Sequence, residues 1–174
     1  MPNIKDLITH KNVLSDETVH YIQGYLIYLR KSRQDNPDET IEETLAKHEV
    51  RLQELALQKL GGLIPEENIY REVVSGGESI DEREEMRKLL ARIESEDIKG
   101  VLVVDPQRLS RGSLTDCDRL IMSFQYTDTL IITQMLTYNL KVKHERRFFQ
   151  DELMRGRDYL DYVKETLWRG RVAA

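Results

Sequence analysis

Short apolar runs alternate with longer amphipathic segments along most of this chain. The apolar runs have the length and bounding residues of strands, and they cover residues 23–29, 69–74, 101–104, 129–133 and a shorter stretch at 138–142. Between them, apolar residues recur every three or four positions, which is the period of an α-helix. This repeated order predicts an α/β fold, with a mainly parallel sheet of four to five strands flanked by helices.

Individual residues predict where these elements begin and end. The first helix follows Thr40, and the glycine pair Gly61-Gly62 ends it. Asp81 is the predicted N-cap of the second helix, because an Asp side chain can accept a hydrogen bond from a free backbone N–H at a helix start. The strand at 101–104 is apolar on both faces, so we expect it at the centre of the sheet.

The last part of the chain has a different pattern. Residues 146–169 contain one glycine and no proline, and their apolar positions are three or four apart, except for one gap that Gly156 occupies. A helix of this length reaches roughly 36 Å, beyond the small domain that it leaves. We therefore expect its apolar stripe to pack against another copy. The predicted organisation is an N-terminal tail at 1–21, an α/β core at 22–145 and a long oligomerisation helix at 146–171.

Composition and charge narrow the class of protein. The 174 residues carry a net charge of −5, which argues against a general nucleic-acid binder, although residues 141–171 have more Lys and Arg than Asp and Glu. A single cysteine excludes a disulfide framework and a cysteine-based metal site. The chain begins without the apolar segment of a secretory signal, and its apolar runs are too short to cross a membrane. We therefore expect a cytoplasmic protein with no membrane partner.

A serine and several arginines follow two of the predicted strands. Ser32 comes just after the first strand, and Arg108 and Arg111 follow the third. The cationic neighbours of the serine are Arg30, Lys31 and Arg33. Ligands of a parallel sheet bind at the carboxyl ends of its strands, so we expect these residues in one place. Arginine binds phosphate oxygens two at a time, and a hydroxyl beside arginines is the arrangement that attack on a phosphodiester requires.

These residues resemble the motifs of the serine recombinase family, the resolvase/invertase superfamily, and they are most similar to its large integrase and transposase branch. The four matching blocks, in chain order, are residues 28–32 (the nucleophile motif), Ser75-Gly76 followed by Arg83, residues 105–111, and residues 168–171 at the end of the terminal helix. The resemblance spans residues 23–171. Two positions depart from the family pattern. Gln107 stands where an Asp often precedes the first arginine of the third block, with Asp105 two residues earlier, and Tyr159 stands where the terminal helix often carries a Glu.

The resemblance implies a site-specific DNA recombinase. Ser32 would cleave a DNA phosphodiester and form a 5′-phosphoserine intermediate, followed by strand exchange and rejoining in a tetramer, with no metal, ATP or other cofactor. The arginines that would bind the phosphate are Arg30, Arg83, Arg108 and Arg111. Asp105 and Asp35 are candidates for a positioning or acid–base role. The candidates for further DNA contact are Lys31, Arg33, Arg169 and Arg171.

The resemblance also implies the partners of the chain. They are double-stranded DNA and further copies of the chain, in a homodimer or homotetramer assembled through the C-terminal helix. Members of the large branch carry DNA-binding domains after this helix. We therefore expect the DNA-binding domains of the parent protein to be missing from this chain.

A second interpretation stays open on the residues alone. In it, the chain is a non-catalytic α/β assembly module with a phosphate-binding pocket. Ser32 is then an ordinary turn serine, Arg83 a solvated charge in an acidic helix, and His48 a core or interface histidine. A flavodoxin-like nucleotide binder is disfavoured, because the loop after the first strand lacks the glycines of a phosphate-binding loop.

Overall fold

A computed structural model of the protein describes residues 19–31, 35–73, 80–110 and 114–173, without the side chains of 156–164 and 171–173. The strands within these ranges are β1 (Tyr25–Arg30), β2 (Ile69–Glu72), β3 (Gly100–Leu102), β4 (Leu130–Ile132) and β5 (Thr137–Tyr138). The α-helices within them are α1 (Ile41–Leu60), α2 (Glu84–Arg92), α3 (Leu114–Thr127) and α4 (Lys143–Ala173). Strands and helices alternate as far as β4, which is the order that the hydrophobic pattern predicts.

The five strands form one sheet in the order β2-β1-β3-β4-β5. β1 lies parallel to β2 and β3, β3 lies parallel to β4, and β4 and β5 are antiparallel. β3 is the central strand and is buried along its whole length, as its apolar faces predict. The predicted α/β fold with a mainly parallel sheet is confirmed.

Successive residues of β1 pack on opposite faces of the sheet. Leu26 and Tyr28 belong to a core that includes residues of α2, α3 and the first turns of α4. Ile27 and Leu29 belong to a second core, to which α1 contributes most of the helical residues. This alternation is the period of a strand, and it places helices on both faces of the sheet. Because β1 is held on both faces, the position of Arg30 at its carboxyl end is fixed as well.

Local sequence signals set both ends of α1. Thr40 and Glu43 form a capping box, in which the Glu43 N–H donates to Thr40 Oγ1 and the Thr40 N–H donates to the Glu43 carboxylate. At the other end, Gly61 has a φ of +80°, a left-handed conformation that glycine adopts without strain. The predicted end of this helix at the glycine pair is confirmed.

The predicted N-cap at Asp81 is wrong. Asp81 lies in a 3-10 turn, Ile80–Glu82, and α2 begins at Glu84, two residues after the end of this turn. The turn allows Ile80 to be fully buried in the core, and the Arg83 N–H donates to the Ile80 carbonyl. The Asp81 carboxylate accepts a hydrogen bond from Arg119 on α3. Arg83 therefore occupies the N-cap position of α2.

The fifth strand is shorter than the predicted stretch at 138–142 and begins one residue earlier. After Tyr138 the chain turns, and Leu140 is buried in the core. The Leu140 carbonyl accepts hydrogen bonds from the side chains of Gln125 and Arg146. The ladder between β4 and β5 stops at Tyr138.

The end of the predicted N-terminal tail is attached to the sheet domain. The Leu63 N–H donates to the His20 carbonyl, and the Ile22 N–H donates to the Leu63 carbonyl. Gly62 lies against this segment: a Cβ atom added to it would stand 2.6 Å from Ile22 Cγ2 and 2.9 Å from the His20 carbonyl oxygen. The first 18 residues of the tail lie outside the described residues.

The long terminal helix α4 begins three residues before the predicted start. Phe149 and Leu153, near its beginning, are buried in the core. Leu167 and Trp168, near its end, are 62% and 67% exposed. The helix therefore packs on the domain at its start and presents apolar side chains to solvent near its end. Within the described ranges, no helix combines the length and the apolar character needed to cross a membrane.

Candidate active site

Four of the predicted site residues come together at the carboxyl ends of β1 and β3. They are Arg30, Asp35, Asp105 and Arg108. Arg83, at the start of α2, belongs to a second group of buried polar residues. The predicted site residues that lie outside the described residues are Ser32, Arg33 and Arg111, together with Ser75 and Gly76 of the second sequence block.

Arg30 and Arg108 each bind the backbone of the other. Arg30 Nε donates to the Arg108 carbonyl at 2.9 Å, and its Nη2 donates to the Gln107 carbonyl at 2.7 Å. In return, Arg108 Nη1 donates to the Arg30 carbonyl at 3.1 Å. Arg108 stands in a 3-10 turn after β3, and β3 is the parallel neighbour of β1. The sheet order therefore brings the two arginines together, as predicted from their positions after the strands.

Two carboxylates hold the Arg108 guanidinium. Its Nη1 and Nη2 donate to the two carboxylate oxygens of Asp35 at 2.5 Å and 3.1 Å, and its Nε donates to Asp105 Oδ2 at 3.0 Å. Arg108 is only 6% exposed. Burial acts to lower the pKa of Arg108, but the hydrogen bonds with Asp35 and the charge of Asp105 act in the opposite direction, and the pKa is raised. The guanidinium therefore stays charged in the site.

His48 on α1 lies beside this pair of ions. Its Nε2 is 3.7 Å from Asp35 Oδ1, and its side chain is buried, as the core interpretation of this histidine predicts. Burial lowers the pKa of His48, and the positive charge of Arg108 lowers it further, against the opposing effect of Asp35. The ring is therefore neutral at neutral pH, and the charge of Arg108 is balanced by the two carboxylates.

Arg83 is 1% exposed, so its interpretation as a solvated helix charge is wrong. None of its three side-chain nitrogens has a hydrogen-bond partner among the residues that the structure describes. The guanidinium lies close to Tyr28, where its charge lowers the pKa of the hydroxyl against the larger, raising effect of burial. A buried cation without a hydrogen-bond partner is an unusual feature and suits a group that binds an anion.

Glu72, at the end of β2, was not predicted as a site residue. It is buried, and its Oε2 accepts hydrogen bonds from the Tyr28 hydroxyl at 3.3 Å and from the Met86 N–H at 3.0 Å. A signal for it exists in the sequence, because an acidic residue at the end of a buried strand is uncommon. The strand register supports that signal, since Glu72 pairs with Arg30 at the same edge of the sheet.

Three other predicted contact residues lie within the described ranges, namely Lys31, Arg169 and Arg171. Lys31 Nζ donates a hydrogen bond to the Glu39 carbonyl. Arg169 is exposed on α4, with its Nη2 3.9 Å from Glu165 Oε2, and the side chain of Arg171 is not described. Among the described residues, no group of three or more His, Cys, Asp and Glu side chains is arranged to hold a metal ion.

The family model described as "Resolvase, N terminal domain" matches residues 25–151, which is most of the chain. The chain belongs to the resolvase family. Among solved structures, the N-terminal catalytic domain of TP901-1 integrase is similar to it, with 21% identity and a TM-score of 0.55, over 80% of this chain and 98% of that one. The C-terminal catalytic domain of ISC1926 TnpA, an IS607-like serine recombinase, is 18% identical over 73% of this chain and 94% of that one, with a TM-score of 0.48.

Membership in the resolvase family confirms the resemblance over residues 25–151, which contain the first three of the four sequence blocks. The TP901-1 domain shares its fold. In this resolvase domain, buried cations lie at the end of β1 and next to it, namely Arg30, Arg108 and Arg83.

Proposed function

We propose that this resolvase domain cleaves and rejoins double-stranded DNA with Ser32 as the nucleophile. The observation that carries the proposal is the buried pair of Arg30 and Arg108 at the carboxyl ends of adjacent parallel strands, the edge where such sheets bind their ligands. Ser32 follows Arg30 by two residues. In the sequence, the proposed nucleophile therefore lies next to part of the positive charge.

In the proposed reaction, the Ser32 hydroxyl oxygen attacks the phosphorus of a DNA phosphodiester. The Oγ–P bond forms as the P–O3′ bond breaks, and the serine proton passes through solvent to the departing 3′ oxygen. The products are a 5′-phosphoserine and a free 3′-hydroxyl. In rejoining, the 3′-hydroxyl of the new partner strand attacks the phosphorus, and the Ser32 hydroxyl is restored. One phosphate ester replaces another at both steps, so neither ATP nor another cofactor is consumed.

Arginines supply the positive charge in this proposal. The phosphate ligands are Arg30, Arg83, Arg108 and Arg111. Guanidinium groups stabilise negative charge on the phosphate oxygens most strongly where water is excluded, and the burial of Arg83 and Arg108 supports this role. We assign Asp35 and Asp105 a positioning role, because both carboxylates bind the Arg108 guanidinium.

Further cations extend the proposed DNA contact beyond the reacting phosphate. They are Lys31, Arg33, Arg169 and Arg171. The exposure of Arg169 supports this assignment. Contacts of this kind bind phosphates without reading the bases, so the affinity that they add falls as the salt concentration rises.

We also propose that the domain works as a homodimer or homotetramer assembled through α4. The exposed Leu167 and Trp168 near the end of the helix support this, because apolar side chains at a helix end gain stability when a partner covers them. A second apolar surface lies near the start of α4, in a cavity of about 420 Å³ lined in part by Leu136, Tyr138 and Phe148.

A covalent trap tests the proposed nucleophile. The protein is incubated, in the context of its natural full-length chain, with DNA that carries its own recombination sites, quenched during the reaction and digested. Mass spectrometry then locates any nucleotide adduct. We expect an adduct on Ser32, and none in Ser32→Ala. Ser123→Ala, which removes a half-buried serine on α3, serves as the control and should keep the adduct.

The result also decides between this function and a non-catalytic α/β assembly module with a phosphate-binding pocket. One observation favours the assembly module: Asp35 and Asp105 already occupy donors of the Arg108 guanidinium. An absence of adduct while the protein and DNA form their assembled complex would support the module. An adduct on a different residue would show that the nucleophile is misassigned.

A further inference from the structure

The Arg108 guanidinium has no pair of adjacent donors left for a phosphate. Its Nη1 and Nη2 form one two-donor edge, and both bind the carboxylate of Asp35. Its Nε and Nη2 form the other edge, and there Nε binds Asp105. Nη1 also donates to the Arg30 carbonyl, which belongs to the backbone of the sheet. An arginine held in this way cannot bind two phosphate oxygens side by side without losing a present partner.

The partner whose replacement would free a two-donor edge is Asp35. The Arg30 carbonyl is fixed by the strand, and Asp105 precedes the same turn as Arg108. Asp35 instead belongs to the loop between β1 and α1, three residues after Ser32 in the sequence. A bidentate carboxylate presents two oxygens to a guanidinium fork, just as a phosphate does. Exchange of one anion for the other would keep the charge of the buried Arg108 balanced.

We propose that the Asp35 carboxylate occupies the phosphate-binding edge of Arg108 in the free protein and is displaced by the DNA phosphate. Asp35 is thus a positioning residue that also competes with the substrate. The inference rests on the proposed function, because it concerns an arginine of the same site. It explains how a buried arginine can serve as a phosphate ligand although carboxylates surround it in the absence of DNA.

Inorganic phosphate is the probe that tests this competition without any DNA reaction. Its dissociation constant is measured by calorimetry for the wild-type protein and for Asp35→Asn, which removes the charge and keeps the shape of the side chain. We expect Asp35→Asn to bind phosphate about tenfold more tightly, since a competing anion within hydrogen-bond distance has been removed. NMR signals of the arginine Nε–Hε groups report whether Arg108 is the group that responds.

Two control variants separate competition from a general change in charge. Asp38→Asn removes the same charge from an exposed position of the same loop and should leave the phosphate affinity unchanged. Arg108→Gln combined with Asp35→Asn should abolish the gain. Asp35→Ser provides a second way to remove the carboxylate if Asp35→Asn does not fold. Equal or weaker phosphate binding in a folded Asp35 variant would overturn the inference, as would an equal gain in Asp38→Asn.

The phosphate titration tests the competition by Asp35, and the covalent trap tests the proposed reaction, so either proposal can be wrong while the other stands. If no adduct forms on Ser32 but Asp35→Asn gains phosphate affinity through Arg108, the proposed reaction is wrong and the competition stands. If the adduct forms and the affinity of Asp35→Asn is unchanged, Ser32 is the nucleophile and Asp35 does not compete with the phosphate.

Discussion

Arg83 combines near-complete burial with the lack of a hydrogen-bond partner among the described residues, and this combination carries a cost in free energy. A second buried charge, the carboxylate of Glu72, also acts on Tyr28. Buried charges are poor sources of stability when an apolar side chain of similar size can replace them. A role in binding the DNA phosphate, as proposed above, gives a reason for the charge to be there.

Replacement of Arg83 by methionine tests this interpretation. We expect Arg83→Met to leave the free energy of unfolding unchanged or to raise it by about 1–2 kcal/mol, because the desolvated charge is removed while the buried volume is kept. DNA cleavage should fall by at least about a hundredfold. Urea unfolding and the Ser32 adduct assay measure the two effects. Arg87→Met, one turn further along α2 and exposed, should change neither. A loss of stability beyond about 3 kcal/mol in Arg83→Met would assign the arginine a structural role.

His48 should make the stability of the protein depend on pH. Burial and the charge of Arg108 lower the pKa of His48 in the folded protein. As the pH falls through about 6.5, the unfolded chain therefore takes up a proton at this position while the folded protein does not. Stability is therefore full above that pH and falls as the pH falls below it. In His48→Gln, we expect the decline between about pH 7 and pH 5 to be smaller by up to about 1 kcal/mol. Urea unfolding as a function of pH measures this. In His144→Gln, at an exposed position, the unfolding free energy should decline with falling pH as in the wild type. A wild-type decline in His48→Gln would show that His48 is not the source of the pH dependence.

The sequence predicts which arginines gather at the sheet edge better than it predicts what they bind. Arg30 ends β1 and Arg108 follows β3, and the parallel order of these two strands is enough to place them together. Arg30 donates to carbonyl groups of the turn after β3, and Arg108 donates to the Arg30 carbonyl and to two carboxylates, and the strand pattern predicts none of these partners. The burial of Arg83 was likewise not predicted, because its neighbours Glu82 and Glu84 are charged and give no apolar signal.

At the scale of elements, apolar runs predict the strands because both faces of this sheet are covered. β1 and β3 pack into the two cores, so nearly every position in them is apolar. Capping signals are less reliable: Thr40 and Gly61 act as predicted, whereas Asp81 does not. The difference arises from a tertiary contact, since the burial of Ile80 creates a turn that shifts the start of α2.

The two glycines after α1 should differ in their tolerance of a side chain. Gly61 has a positive φ but open space around it, so Gly61→Ala should cost about 1 kcal/mol of unfolding free energy. At Gly62, a Cβ atom would meet the backbone oxygen of His20 and the side chain of Ile22, so Gly62→Ala should cost about 3 kcal/mol. Urea unfolding of the two matched variants measures the difference. Equal costs would mean that the segment of residues 20–22 moves aside easily.

At the scale of the whole molecule, α4 has two different environments. Its first turns complete a core of the domain through Phe149 and Leu153. Near its end, Leu167 and Trp168 are exposed. The apolar spacing along residues 146–169 predicts the helix, but it does not distinguish the part that packs within the chain from the part that is left for a partner.

A charge placed on the exposed part of the stripe should weaken assembly. For Trp168→Lys, we expect the dissociation constant of the oligomer to rise at least about tenfold, because buried aromatic side chains often dominate interfaces and a buried lysine is unfavourable there. Sedimentation over a range of protein concentrations measures this. Thr166→Lys introduces the same charge two residues earlier on the helix and should assemble like the wild type. A wild-type chain that stays monomeric at every concentration would contradict assembly through α4.

The strand order also affects how the chain reaches this fold. β1 pairs with β2 on one side and with β3 on the other, and Tyr25 meets its neighbour Gly100 only after the intervening segment has been made. At a synthesis rate of about 5–20 residues per second, that takes roughly 4–15 seconds. During this time, an almost wholly apolar strand has an open edge in the nascent chain, and open edges favour wrong pairing. The strand that ends in Arg30 is therefore exposed to wrong pairing until residues around Gly100 have been synthesised.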